Sequence, residues 1–114
     1  MTLNFNIGQV VSDMVKASSG ALAKGGQQAT EYATHEYESF ISDVQHAQTM
    51  ATANPPLITV EEAQFLVDQA KISMQNVFLT VEGLGIIAVQ DAINAALAVL
   101  NTALGTALQG LKLV

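Results

Sequence analysis

The chain has 114 residues, half of them apolar but only 5% aromatic, and a formal net charge of -6 from ten acids against four lysines with no arginine. Phosphate recognition needs clustered basic residues, so nucleic acid is not expected as a partner, nor is a basic helix face on anionic lipid. The absence of cysteine excludes a disulfide framework and a thiolate metal site.

This length fits one domain with a modest core. Alanine and leucine carry much of the apolar content, which favours helix over strand. No basic segment followed by an apolar run opens the chain, so no secretory signal is expected.

After an extended arm or docking segment from Met1 to Asn6, a first helix is predicted from about Ile7 to Leu22. Ile7, Val10, Val11, Met14, Val15 and Ser18 form its apolar side. Lys24-Gly25-Gly26 ends it. A second helix is predicted over 27–53, with Ala29, Ala33, Tyr37, Phe40, Ile41, Val44, Ala47, Gln48 and Ala51 at helical spacing. Asn54-Pro55-Pro56 stops it, because proline lacks a donor and clashes with the preceding turn. Thr59-Val60-Glu61-Glu62 matches a capping box and opens a third helix over 59–112. Phe65, Leu66, Ala70, Ser73, Val77, Val81 and Leu84 are read as its leading apolar line.

From Gly83 onward the pattern is unusually regular. Ile86, Val89, Ile93, Leu97, Leu100, Leu104, Leu108 and Leu111 form a large apolar stripe. Beside it runs a small-residue stripe that includes Ala88, Ala92, Ala96, Ala103 and Ala107. A mostly polar stripe carries Gln90, Asn94, Asn101 and Lys112. The steps repeat every eleven residues, which keeps the stripes nearly straight. Small residues at this spacing permit close helix approach.

Unbroken, the third helix would be about 80 Å long, far beyond a compact domain of this size. Either Gly83-Leu84-Gly85 is a turn and the chain is a four-helix unit, or the helix is continuous and belongs to a polymer. The favoured reading is all-α: a long antiparallel helical hairpin with a short N-terminal helix, kinked or not at 83–85, whose faces are completed by neighbouring subunits. Its candidate interface is Ile86, Ala88, Val89, Ala92, Ile93, Ala96, Leu97, Leu100, Ala103, Leu104, Ala107 and Leu108. Residues 83–104 are apolar enough to raise a membrane span, but Asp91 would sit mid-span at a cost of roughly 2.5–3.5 kcal/mol.

No catalytic motif stands out, and no cofactor, metal or small-molecule substrate is expected. His35-Glu36 lacks the second histidine of a zincin, since Ser39 holds that position. His35 and His46 lie about 16 Å apart by helical rise, too far to share a metal. Glu31, His35, Glu36, Glu38, Asp43 and His46 gather on the second helix with no lysine or arginine among them. On an isolated chain this is a solvated acidic face; in a packed assembly it would respond to pH, since acidification neutralises carboxylates and charges histidines.

Ala88-Val89-Gln90-Asp91-Ala92-Ile93-Asn94 resembles the A-x-Q-[N/D]-A-[V/I]-N core of the R-body (Reb, "killing trait") proteins. The tail Leu100 to Leu111 is similar to the family's segment after that core, and Ile7 to Lys16 resembles its opening segment. The family's glutamine-rich run is replaced here by Ala95-Ala96-Leu97-Ala98, and the acidic helix has no counterpart in the resemblance. The resemblance implies a small, non-enzymatic bacterial subunit. It would co-assemble with itself and related Reb subunits into a coiled ribbon, held as a cytoplasmic inclusion. Acid would extend the ribbon and mechanically rupture the membrane of an engulfing host compartment. Two other readings are a holin-like or pore-forming membrane-active protein, and a helical hairpin that binds a partner helix through Gly83 to Leu113.

Overall fold

The computed structural model describes residues 6–108 and 110–113, with the side chain of Thr106 left aside. The first five residues of the expected docking segment lie outside the described residues. Four α-helices occur in order: α1 (Ile7–Leu22), α2 (Gly26–Thr52), α3 (Val60–Leu79) and α4 (Ile86–Leu104). Short 3-10 turns cover Ala23–Gly25 and Gly105–Leu108, and no strand occurs among the described residues.

Local chemistry sets the boundaries. Asn6 caps α1, its side chain accepting from the Gln9 amide at 3.0 Å. The capping box of α3 is formed as expected: the Glu62 amide donates to Thr59 Oγ1 at 3.0 Å, and the Thr59 amide to Glu62 Oε1 at 2.9 Å. Between α2 and α3, the Leu57 amide bonds the Met50 carbonyl at 2.9 Å and closes the proline-bearing turn.

The expected third helix over 59–112 is two helices and a tail. Thr80 ends α3, its hydroxyl turning back to the Val77 carbonyl at 2.6 Å. Gly83 then takes φ +92, a left-handed conformation that costs other residues roughly 1–2 kcal/mol. A Cβ there would also lie 2.6 Å from the Lys24 carbonyl oxygen. Gly25 is equally confined, because a Cβ would meet Ala29 Cβ at 2.6 Å and Val81 and Leu84 at 3.1 Å. These two glycines dock the α1–α2 turn onto the α3–α4 turn.

The helices therefore run alternately up and down, within a body of 46 × 24 × 18 Å. The most extensive pairings are α1 with α4 and α2 with α3. After α4 the chain turns at Gly105 and Gly110 and lays residues 111–113 along α3. Gln64 clasps this tail with its whole amide: Nε2 donates to the Lys112 carbonyl at 2.8 Å, and the Lys112 amide donates to Oε1 at 2.7 Å. Lys71 Nζ donates to the Leu113 carbonyl at 3.2 Å.

The core is continuous through all four helices and the tail. At its centre Tyr37 joins three of them. Its hydroxyl donates to Ser18 of α1 at 2.9 Å, Ser18 donates on to the Met14 carbonyl at 2.9 Å, and its ring lies 5.9 Å from that of Phe78 on α3.

Candidate functional site

The α4 stripes do not stand free. Val89, Ala92, Ile93, Ala96, Leu97, Leu100, Leu104 and Leu108 are buried in the chain's own core. Ala88 and Ala107 are half-buried, Ala103 is exposed, and Ile86 keeps 47% of its surface open. The faces expected to await neighbouring subunits are thus filled largely by α1, α3 and the tail of the same chain. The physical reason is the break at Gly83, which folds α4 back onto the bundle. Asp91, Asn94 and Asn101 point outward, away from that core. Among the described residues, α4 is the one helix long and apolar enough to cross a membrane.

The acidic residues of α2 lie on its outer side. Glu31, His35, Glu38, Asp43 and His46 are exposed and Glu36 is half-buried. Glu31 accepts a hydrogen bond from Gln27 at 3.2 Å. Among the described residues, no three His, Cys, Asp or Glu side chains gather into a metal-binding group.

The structure adds two features. Gln48, which follows the apolar period of α2, is 1% exposed, and neither of its amide atoms has a hydrogen-bond partner. It borders a cavity of about 240 Å³ lined by Ala51, Thr52, Val60, Leu108 and Leu111. The second feature is α3 itself. Its buried residues are Ala63, Val67, Met74 and Phe78, whereas Phe65, Leu66, Ile72 and Leu79 face outward with 38–60% exposure. Of the expected line, Phe65, Leu66 and Ser73 lie on the surface, Ala70 and Val77 are half-buried, and Val81 and Leu84 are in the core. Only a comparison of both sides of α3 signals this, since each carries large apolar residues.

No protein-family model matches the chain, and no curated protein or solved structure matches it either.

Proposed function

We propose that the chain is a non-enzymatic structural subunit of an R-body-like polymer, assembling with copies of itself and related subunits and lengthening on acidification to disrupt a membrane mechanically. One observation carries this reading. The two segments that resemble the family, Ile7 to Lys16 and Ala88 to Asn94, lie on α1 and α4, which pack against each other along the bundle. Segments far apart in sequence thus share one physical unit, as parts that serve one role do.

In this proposal the pH-responsive part is the outer face of α2. There Glu31, His35, Glu36, Glu38, Asp43 and His46 would face neighbouring copies that each carry a net charge of -6. The polymer would form as an inclusion in a bacterial cytoplasm. Electron microscopy of the overexpressed protein at neutral and acidic pH tests the proposal. Ribbons or rolls that lengthen in acid are expected. A monodisperse monomer at both pH values, also in the presence of a Reb partner, would sink it. Changing Glu31, Glu36 and Glu38 together to Gln is expected to move the midpoint of the transition; an unmoved midpoint removes these acids from the sensor.

The length and apolarity of α4 favour a second reading, insertion of this helix into lipid. Its buried stripe would first have to leave the bundle. Dye leakage from vesicles without any polymer favours that reading over the first.

A further inference from the structure

We propose that the groove along α3 that holds residues 111–113 is an acceptor site for the same segment of a second copy, so that copies of the chain exchange tails about a pivot at Gly105. The structure shows the occupant in its seat. Leu111 and Leu113 are buried, at 5% and 2% exposure, and Lys112 between them is exposed, the alternation of an extended segment. Gln64 bonds both backbone groups of Lys112, and Lys71 bonds the Leu113 carbonyl. Backbone bonds with burial of alternate side chains are how extended segments are captured between chains. Charge suits this segment too. Lys112 is the only charged residue from Ala92 to Leu113, and it lines the cleft with Glu61 and Asp68, against which the groove sets the single base Lys71.

Two observations make the seat exchangeable. The first is the packing around the tail. Leu108 and Leu111 line the cavity of about 240 Å³ that Gln48 borders, and neither amide atom of Gln48 has a partner. Lifting the tail gives that amide access to water, which offsets part of the lost apolar contact. On the other side the cleft of about 600 Å³ flanks Lys112 and Leu113. The second observation is a conflict at Gly105. The stripe of Leu97, Leu100 and Leu104 runs on in the sequence at helical spacing through Leu108 and Leu111, yet the chain leaves α4 at Gly105 with φ +52. Straightening there prolongs α4 along its axis and carries the tail off its own groove. The tail then has leucines to bury, and the vacated groove of another copy is identical to the one it left.

Every contact in the seat is the same within one copy and between two, so those contacts cancel. What differs is concentration: a tail on a short linker meets its own groove at an effective concentration on the order of mM. Exchange is therefore negligible in dilute solution and gains ground where copies are packed to similar levels. Salt assists it, because the pairing of Lys112 with the groove cancels while two bodies of net charge -6 must approach each other. Reciprocal exchange closes a dimer, and one-way exchange runs on as a chain. Neither needs acid or a related subunit. Exchange can thus fail while the polymer proposed above still forms in acid, and the reverse.

Sedimentation equilibrium of the full chain at neutral pH is expected to show monomer at micromolar concentration and dimer or larger species toward millimolar. Gly105→Ala strains the turn but disturbs no contact, since a Cβ there has no atom within 4 Å. It is expected to lower the concentration needed by about tenfold. Adding Leu113→Asp, which the seat cannot hold, is expected to abolish that gain. The chain has no cysteine of its own, so disulfide trapping reads the contact cleanly. A mixture of Glu61→Cys and Lys112→Cys chains, oxidised with glutathione near millimolar concentration, should give the mixed disulfide well above its statistical share. Wild-type and Gly105→Ala chains that both stay monomeric overturn the exchange, as does a double variant that associates like Gly105→Ala or a mixed disulfide at its statistical share. If both chains stay monomeric while a synthetic peptide of residues 110–114 binds the Gly105→Ala chain, the groove takes a segment of another protein and the exchange is likewise overturned.

Discussion

Helices α2 and α3 form one antiparallel pair, yet they dispose of their apolar residues in opposite ways. On α2 the apolar residues point into the bundle and the acids point out. On α3 large apolar residues stand on both sides: Val67, Met74 and Phe78 inward, Phe65, Ile72 and Leu79 outward. The difference teaches that helical spacing of apolar residues marks a buried face only where the opposite face is polar. Where both faces are apolar, the partner helices decide which is core, and the leftover line is available for another contact.

The comparison is broken most severely at the inner anchor of α3. Phe78 is fully buried against Tyr37, so Phe78→Ala is expected to cost roughly 3–5 kcal/mol in denaturant unfolding. On α2 the corresponding anchor can be probed with pH. Burial pushes the Tyr37 hydroxyl up from 10.0 to about 12, partly offset by its hydrogen bond with Ser18. A raised pKa means stability that is intact below the unfolded value and lost as pH climbs through the folded one. Unfolding free energy should therefore fall by about 2 kcal/mol between pH 10 and 12. Tyr37→Phe should abolish that slope while losing about 1 kcal/mol at neutral pH from the missing hydrogen bond.

A smaller effect lies at Gln48, the polar exception on the inner side of α2. Gln48→Leu removes two unpartnered buried atoms and should stabilise the protein by about 1 kcal/mol. A loss of stability instead would show that the amide holds a partner within the cavity. The smallest effect sharpens the comparison: Phe65→Ser, on the outer line of α3, should leave unfolding within about 0.5 kcal/mol of wild type.

Much of this is legible in the sequence because it is local. The α1 boundaries, the apolar side of α2, the proline stop and the Thr59 capping box each depend on neighbours within a turn or two. Ser18 falls on the apolar side of α1 by spacing alone, and the structure adds why a hydroxyl sits there: it links Tyr37 to a backbone carbonyl. The features that escape a sequence reading depend on long-range contacts. Whether Gly83 breaks the helix is decided by the closeness of Lys24, and the clasp between Gln64 and Lys112 joins residues 48 apart in sequence. The α4 stripes announce by their spacing that they need cover. Period alone does not say whether that cover comes from the same chain or another, and here α1, α3 and the tail supply it.

The close fit at Gly25 and Gly83 has a mechanical consequence. One end of the molecule is fastened where the two turns meet, Gly83 against the Lys24 carbonyl and Gly25 under the side chains of Val81 and Leu84. The other end holds the Gln48 cavity, a cleft of about 600 Å³ along α3, and a tail that buries Leu111 and Leu113 and is clasped by Gln64 and Lys71. The packing is thus tightest at the glycine junction and loosest at the cavity end. Amide hydrogen exchange should then run fastest in the tail and the last turns of α2 and α4, and slowest around Tyr37 and Phe78.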